Sequence, residues 1–441
     1  MTKTHISIMR NALAALLLLV SSVAIAKLSS GANSIETNSE LQNIPLDDLA
    51  SAQGRSSISH RRLAQSDEAY DQVIQNHLQM FTTAEDAMVI GPSAFPKPTD
   101  MGKQSPEDEM VVALKPALGT HRPDKDAVVM FAAEYKINIY AQFIESLRGS
   151  GFDGDIVLSV HKNDLEDTDI RNYLGYHADG RGVVVYTPTQ VCMNREQEQV
   201  ESAKGGFRAC KLQGVYGRKE ADGTVQVIDD PRDGRTLQNL RYEIYWAMIS
   251  AYNPHSWILL VDARDTVFQK DPFEHVPRNS DPTGKSGLLY FFGESAEATN
   301  IGKSAKYNFK WIRAGYGLEV ANSVAQKPII CSGATMGEVI AIETYLRAMV
   351  AESDETKTIL VGSDQGFHNR LFYSGKLNNA DKIHAIVVFD QGTGIVNNLA
   401  ALRTKDLSEW GNGKIVETQG GKVVVKNWDG SVRYVVTQRK C

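Results

Sequence analysis

The sequence predicts an α/β fold in which a mixed, mostly parallel sheet is flanked by helices. Between residues 127 and 186, three apolar segments alternate with two segments of helical spacing. This alternation is typical of parallel strands joined by crossover helices. The apolar run 257–261 has no polar residue at alternate positions, which favours a strand buried on both faces, as in a parallel sheet.

The remaining elements follow from apolar periodicity and from turn and cap residues. Strands are expected at 127–133, 155–160, 182–186, 257–261, 287–292, 328–331 and 385–389. Helices are expected at 139–147, 164–174, 237–252 and 338–351, and a further helix should begin with Ser363 or Asp364 as its N-cap. A turn is predicted at Ser332-Gly333, and a hairpin is predicted over 422–438 around Asp429-Gly430.

The first 26 residues predict a secretory signal peptide or an uncleaved signal-anchor. Lys3 and Arg10 flank the start, an apolar run follows at 12–20, and Ala24 and Ala26 fit a cleavage site. The apolar segment is slightly short for a spanning helix, which needs about 20 residues, so cleavage and anchoring both stay open. In either case the chain is expected to enter the secretory pathway.

Three further segments complete the predicted domain organisation. Residues 27–124 are rich in Ser, Asn, Gln, Asp and Pro, which is typical of a stem or linker. Residues 125–441 carry the α/β pattern and are expected to form the folded domain. Within it, residues 188–233 interrupt the alternation and are interpreted as an insertion over the sheet edge, either a structural excursion or a loop that touches substrate.

Composition narrows the function further. The 441-residue chain carries a net charge of −6, which argues against a broad nucleic-acid interface because that requires a basic surface. Its four cysteines permit two disulfides in an oxidising compartment. Cys192 and Cys210 bracket a polar, glycine-containing loop and are expected to pair. The sequence contains no N-x-[ST] acceptor, so N-glycosylation is not expected.

Three polar clusters follow apolar runs or begin a helix, and a doubly wound sheet would bring them to one edge. They are Asp262/Arg264/Asp265, Ser332-Gly333 and Asp364-Gln365 with His368-Asn369. Two acids can hold a divalent cation together with substrate phosphates, and that cation would neutralise charge on a leaving diphosphate. A third acid, Asp364, could orient or deprotonate an acceptor hydroxyl.

Each cluster also has a purely structural interpretation. Asp262 could cap the next turn, Asp265 could pair with Arg264, and Asp364 could be an N-cap. A lone histidine such as His368 is more often structural than catalytic. A haloacid-dehalogenase-type phosphatase is a less favoured alternative, because its D-x-D-x-[TV] motif places the acids two apart, whereas Asp262 and Asp265 are three apart.

The segment 261–273 resembles the D-x-R-D-x-x-F-Q variant of the D-x-D motif in GT-A-type glycosyltransferases of the eukaryotic secretory pathway. Residues 331–333 are similar to the N-[CS]-G segment of these enzymes, and residues 364–369 are similar to their D-Q-x-x-x-N segment. Residues 241–245, Arg-Tyr-x-x-Tyr, are similar to the helix that precedes the metal motif. The likeness covers roughly residues 125–440, so it implies a GT-A-like, Rossmann-like catalytic domain.

The resemblance implies roles for the residues that match. Asp262 and Asp265 would bind Mn²⁺ or Mg²⁺ and the diphosphate of a nucleotide-sugar donor, and Asp364 would be catalytic. The substrate-binding residues would be Arg264, Ser332, Gly333, Gln365, His368 and Asn369. A late histidine that serves many such enzymes as a further metal ligand has no clear counterpart here; Lys426 stands near that position, and His384 is a poor substitute.

The function implied is transfer of a sugar to a glycan or glycoprotein hydroxyl in the Golgi or ER lumen. The protein would be a single-pass type II membrane protein or a soluble secretory protein, depending on the fate of its first 26 residues. A lumenal carbohydrate-binding protein of the same fold with a decayed site is the non-enzymatic alternative.

Overall fold

The computed structural model describes residues 110–437 except 133, 195–198, 201–208, 279–286, 305, 381, 405–408, 411–415, 420–421 and 428–434. The predicted signal segment, the predicted stem up to residue 109, and Cys441 lie outside the described residues. Among the described helices, none combines the length and the apolar character needed to cross a membrane.

The helices of the described chain are α1 (Ile137–Gly149), α2 (Lys162–Glu166), α3 (Thr168–Ala178), α4 (Leu237–Ile249), α5 (Asn308–Ser323), α6 (Val339–Thr356) and α7 (Ser363–Tyr373), with 3-10 turns at Lys376–Asn379 and Ala401–Thr404. The strands are β1 (Met110–Val112), β2 (Ala127–Phe131), β3 (Asp155–Ser159), β4 (Val183–Tyr186), β5 (Thr189–Met193), β6 (Gln199–Val200), β7 (Ala209–Gln213), β8 (Tyr216–Lys219), β9 (Val225–Ile228), β10 (Trp257–Asp262), β11 (Thr266–Phe268), β12 (Leu288–Gly293), β13 (Ile330–Glu338), β14 (Ala385–Phe389), β15 (Val396–Asn398), β16 (Val416–Gln419), β17 (Lys422–Val425) and β18 (Val435–Thr437).

A seven-stranded mixed sheet forms the centre of the fold, in the order β14-β12-β13-β10-β2-β3-β4. Strand β13 runs antiparallel to both of its neighbours, and the other pairs in this sheet are parallel. The α/β prediction with a mostly parallel sheet is therefore confirmed. Every residue of β10 is buried, as the unbroken apolar run indicated.

Helix α4 covers one face of this sheet and is buried along almost its whole length. A helix with apolar residues all round belongs in a core, and α4 packs between β2 and α6. Two charged residues, Arg241 and Glu243, are nevertheless buried within it. Because buried charges require partners, these two positions identify where α4 holds other parts of the structure.

The turn predicted at Ser332-Gly333 is wrong. The chain continues through these residues as the nine-residue strand β13, which pairs with β10 up to Val261 and Ala334. Gly337 lies where a Cβ would come within 2.5 Å of the Leu288 carbonyl oxygen, so a small residue lets β12 approach. Gly337 therefore permits close strand packing.

The hairpin predicted over 422–438 is also wrong. Strand β17 pairs antiparallel with β16, which precedes it in the chain, and β18 pairs instead with β11 and β15. The alternating pattern is real, but it belongs to two separate ladders. The expected turn residues Asp429-Gly430 lie outside the described residues.

The segment interpreted as an insertion, residues 188–233, contributes β5 to β9 to two small antiparallel sheets, β6-β5-β7 and β1-β8-β9. The predicted disulfide between Cys192 and Cys210 is confirmed, and the two cysteines face each other across β5 and β7. Strand β1, at Met110–Val112, pairs with β8 although it lies before the predicted boundary at residue 125. Residues 110–112 are therefore part of the same folded body.

Ion pairs fix the end of this insertion to α4. Glu243 accepts hydrogen bonds from Arg232 at 3.0 Å and from Arg235 at 2.5 Å, and Tyr216 also donates to it. Arg235 further pairs with Asp354 on α6 at 2.6 Å. Both oxygens of the buried carboxylate therefore have hydrogen-bond partners, as buried polar groups require.

Candidate functional site

The carboxyl end of β10 places Asp262 at the edge of the central sheet, where β10 and β13 separate. The carboxylate is largely buried, and its Oδ1 accepts a hydrogen bond from Nη1 of Arg241 at 2.7 Å. The Asp262 carbonyl accepts a second bond from Oγ1 of Thr266 at 2.6 Å, which fixes the chain as it leaves the strand. Asp262 is thus held at both its backbone and its side chain.

Arg241 connects three elements of the site. Besides Asp262, it reaches Asp364 on α7, with 2.8 Å between Nη2 and Oδ2, and the Ser332 carbonyl at 3.4 Å. Its position on the preceding helix gave a weak signal, because an arginine within an apolar helix requires a buried acidic partner. Arg241 was not among the site residues predicted from the sequence, although it contacts two of them, Asp262 and Asp364.

The charge on Arg241 is maintained by its neighbours. Burial alone lowers the pKa of the guanidinium, but Tyr242, Asp262 and Asp364 outweigh it, so the pKa lies well above its ordinary value. Burial also raises the pKa of Tyr242, to about 12, although Arg241 opposes this shift. One permanent cation therefore lies between two carboxylates, and the hydrogen bonds orient both of them.

Gly333 keeps space over the second oxygen of Asp262. A Cβ at this position would lie 2.8 Å from Oδ2 of Asp262 and 3.3 Å from Sγ of Cys331. Since Arg241 holds the carboxylate in place, Asp262 could not move away without losing an ion pair. Glycine at 333 therefore leaves room beside the acid, as a site that admits a ligand requires.

Asp364 lies in the first turn of α7, and Gly362, rather than Ser363 or Asp364, is the N-cap residue. Gly362 has a φ of 87°, the left-handed conformation that glycine adopts without strain. Oδ2 of Asp364 also accepts a bond from Oγ of Ser332 at 3.4 Å. The predicted convergence of Asp262, Ser332, Gly333 and Asp364 is present.

Two amides on α7 bind the start of β13. Gln365 accepts from the Ser332 amide at 2.7 Å and donates to the Ile330 carbonyl at 2.5 Å. Asn369 accepts from the Ile330 amide at 3.0 Å and donates to its carbonyl at 2.9 Å. These bonds fix the helix against the strand, so the substrate-binding role expected of both residues stays a prediction.

His368 is completely buried beneath the site. Its Nδ1 is 2.7 Å from the Tyr345 hydroxyl, and its ring contacts Phe291 with 4.5 Å between the ring centroids. Burial, assisted by the charge of Arg241, lowers the pKa of His368 to about 3, so the ring is neutral at physiological pH. The geometry matches the structural interpretation, and substrate binding by His368 stays a prediction.

Arg264 and Asp265 lie at the outer side of the site. The Arg264 side chain is 60% exposed and lies 3.5 Å from Oδ2 of Asp265. A loose pair of this kind is weak in water, so both groups can exchange it for a charged ligand. Among the described residues, no group of three or more His, Cys, Asp or Glu side chains is arranged to hold a metal ion.

Gln269, from the same motif, anchors a strand of the C-terminal region. Its side chain accepts from the Val425 amide at 2.9 Å and donates to the Val425 carbonyl at 3.0 Å. These bonds bring the neighbouring Lys426 close to the 261–273 segment. The Lys426 ammonium pairs with Glu417 on β16. The neighbouring Phe268 packs edge-on against Phe143 of α1. The phenylalanine and glutamine thus have structural roles.

No family model and no curated protein matches this chain. Solved structures that resemble it include the bifunctional glycosyltransferase WbbM, at 12% identity and a TM-score of 0.32, over 63% of this chain and 40% of that one. The glycosyltransferase GlyE of Streptococcus pneumoniae matches at 11% identity and a TM-score of 0.33, over 72% and 55%. The galactosyltransferase LgtC, in complex with donor and acceptor sugar analogs, matches at 9% identity and a TM-score of 0.32, over 70% of this chain and 86% of that one. This chain thus spans less than two thirds of the length of WbbM and of GlyE.

Proposed function

We propose that this protein is a GT-A-type glycosyltransferase that moves a sugar from a nucleotide-diphosphate donor to a glycan or glycoprotein hydroxyl. The observation that carries the proposal is the Arg241 bridge, which joins Asp262 at the end of β10 to Asp364 at the start of α7. Ligands of open α/β sheets bind at this edge. The segment 261–273 adds the resemblance to the D-x-R-D-x-x-F-Q motif.

The residues at this edge fit a hard divalent cation, Mn²⁺ or Mg²⁺, with Asp262 and Asp265 as its protein ligands. One or two carboxylates with substrate phosphates suffice for Mg²⁺, so a third protein ligand is not required. Gly333 leaves the space beside Oδ2 of Asp262 that a ligand set needs. When bound, the cation would stabilise negative charge on the departing nucleoside diphosphate.

The chain's own residues would position the reaction. Arg241 orients both acids and keeps a positive charge beside them, where the low dielectric strengthens its effect. Oδ2 of Asp364 already accepts from Arg241 and Ser332, so Oδ1 is the atom proposed to receive an acceptor hydroxyl. Arg264 is exposed enough to turn from Asp265 toward the donor diphosphate.

The Golgi or ER lumen is the proposed location. The Cys192–Cys210 disulfide supports it, because such bonds persist in oxidising compartments. The predicted N-terminal segment would deliver the chain there, as a type II membrane protein if it is not cleaved.

A carbohydrate-binding protein with a decayed site is the second candidate. It is favoured by the internal use of polar groups: Arg241 pairs with Asp262 and Asp364, and Gln365 and Asn369 bind the backbone of β13. Such a protein would bind saccharides without turning over a donor.

Incubation of the purified full chain with UDP- and GDP-sugars, with and without Mn²⁺, separates the two candidates. Donor hydrolysis or transfer that depends on Asp265 supports the enzyme. The second candidate is supported if the protein binds saccharides but neither turns over a donor nor binds a nucleotide in a metal-dependent way.

A further inference from the structure

A cationic surface with two aromatic side chains lies at the amino-terminal end of α5. It is called the basic–aromatic surface here and consists of Lys303, Lys306, Tyr307, Lys310, Trp311 and Arg313. All four cations are exposed. Lys310 and Arg313 are three residues apart on the helix and therefore project from the same face.

These cations have no partners in the described part of the chain, where no carboxylate pairs with any of them. The sequence contains no acidic residue between Glu297 and Glu319, although the whole chain carries a net charge of −6. Local positive charge on an otherwise acidic protein attracts an anionic ligand and concentrates it at that surface. The surface therefore selects for negative charge in whatever binds there.

The aromatic side chains add an apolar component. Tyr307 is 47% exposed, and its ring centroid is 5.7 Å from that of Trp311. The indole of Trp311 lies against Gly362, so that a Cβ added to this glycine would come within 2.3 Å of Cζ2 of the indole. The Cβ of Trp311 itself lies against Gly366. The tryptophan is thus fixed on the first turn of α7.

This contact makes the surface continuous with the proposed active site. Gly362 caps α7, and Asp364 follows two residues later. Strand β13 runs antiparallel to both β12 and β10, so β12 ends at Gly293 at the same sheet edge as Asp262. The chain then leads from that edge to Lys303 and α5. A ligand extending from Asp364 along the end of α7 therefore meets Trp311 and the cations beyond it.

A saccharide fits this surface better than a membrane does. Amphipathic helices bind membranes by inserting an apolar face. In α5, the apolar side chains of Ile312, Tyr316 and Ala321 pack instead into a core with Ile329 and Tyr373. An exposed tyrosine ring and a half-buried tryptophan, with cations beside them, suit the apolar C–H face of a sugar ring that carries carboxylate or sulfate groups.

We propose that the basic–aromatic surface binds an acidic saccharide and so selects carboxylate- or sulfate-bearing glycans as acceptors. The assignment as an acceptor surface rests on the proposed glycosyltransferase function, whereas the binding itself does not require turnover. Tyr307 and Trp311 contact the sugar rings, and Lys303, Lys306, Lys310 and Arg313 pair with the acidic groups.

Calorimetric titration of the full chain with trigalacturonate and with the neutral maltotriose tests the proposal. The expected result is binding of trigalacturonate at least roughly tenfold tighter than maltotriose at low salt, with the preference lost in Lys310→Glu/Arg313→Glu. Tyr307→Ala should weaken trigalacturonate binding about fivefold through loss of the exposed ring.

The control is Lys162→Glu/Arg171→Glu, which changes the net charge equally at exposed positions of α2 and α3 and should keep the preference. The proposal is overturned by equal affinity for the two saccharides, by an equal loss in the control, or by an unaltered affinity in Tyr307→Ala. Binding to phosphatidylserine vesicles without trigalacturonate binding also overturns it and identifies a membrane surface. Donor hydrolysis, measured separately, shows whether the proposed transfer fails while the saccharide surface stands.

Discussion

Nη2 of Arg241 donates to Oδ2 of Asp364 at 2.8 Å, between residues 123 positions apart in the chain. The other terminal nitrogen donates to Asp262 at 2.7 Å. A single buried cation thus fixes the relative position of a strand end and a helix start. Both acids depend on it, because a buried carboxylate without a partner is strongly destabilising.

Substitution of this cation should therefore destabilise the fold. Arg241→Ala leaves Asp262 and Asp364 without their shared partner, and its free energy of unfolding should fall by about 3–5 kcal/mol. Arg264→Ala is the matched control, because its side chain is 60% exposed and should contribute less than about 1 kcal/mol. Urea unfolding of the full chain measures both. Equal effects of the two substitutions would show that the bridge does not stabilise the fold.

Gly333 should be required for nucleotide binding. In Gly333→Ala, the added Cβ would crowd Oδ2 of Asp262, and Mn²⁺-dependent UDP binding should weaken by about tenfold. Gly175→Ala on α3 is the control, because nothing lies within 4 Å of its added Cβ. That control should retain binding and gain up to about 1 kcal/mol of stability. Unchanged UDP binding in Gly333→Ala would argue against a ligand beside Asp262.

Buried His368 should make stability depend on pH. Its pKa falls from 6.5 to about 3 in the folded protein, so below pH 6.5 the unfolded chain binds a proton that the folded chain does not. His368 therefore does not lower the free energy of unfolding above pH 6.5. Below pH 6.5 it lowers this free energy by up to about 1.4 kcal/mol per pH unit as the pH falls toward 3. His368→Phe should reduce this slope between pH 6.5 and 5. The pKa values of His121 and His177 are also lowered, and both residues remain in the variant. A slope equal to that of the wild type would contradict the prediction.

The insertion should depend on its disulfide. Cys192 and Cys210 close a loop with a sequence separation of 18, so Cys192→Ser/Cys210→Ser should cost about 3 kcal/mol of unfolding free energy. Thermal unfolding with and without a reductant provides the check, because the reductant should destabilise the wild type by more than the double variant, which keeps the disulfide of Cys331. If the reductant left the thermal unfolding of the wild type unchanged, the disulfide would contribute little to stability.

Local sequence patterns predicted the elements that an unambiguous apolar run or two closely spaced cysteines specify. The apolar run 257–261 gave a buried strand, and the loop bracketed by Cys192 and Cys210 gave the disulfide. The prediction of a turn at Ser332-Gly333 was wrong because β13 begins at Ile330 and runs through these residues before it pairs with β10 from Ala334 onward. A strand that is extended by a distant partner has no local sequence signal.

The same limit applies to the site. Asp262 and Asp364 could be selected because acids at strand ends and helix starts are conspicuous. Arg241 could not be assigned to them, since its partners lie 21 and 123 positions away. The structural bonds of Gln365 and Asn369 to β13 were equally inaccessible, because a motif match does not reveal which atoms the fold already uses.

Turnover of a nucleotide-sugar by the purified full chain tests the central proposal most directly. Wild-type protein with Mn²⁺ and a panel of UDP- and GDP-sugars should hydrolyse or transfer at least one donor, and Asp265→Ala should lower that rate by about 100-fold or more. Leu318→Ala, on an exposed part of α5, serves as the control and should retain the wild-type rate. No turnover and no metal-dependent nucleotide binding, in the wild type as in Asp265→Ala, would contradict a glycosyltransferase function.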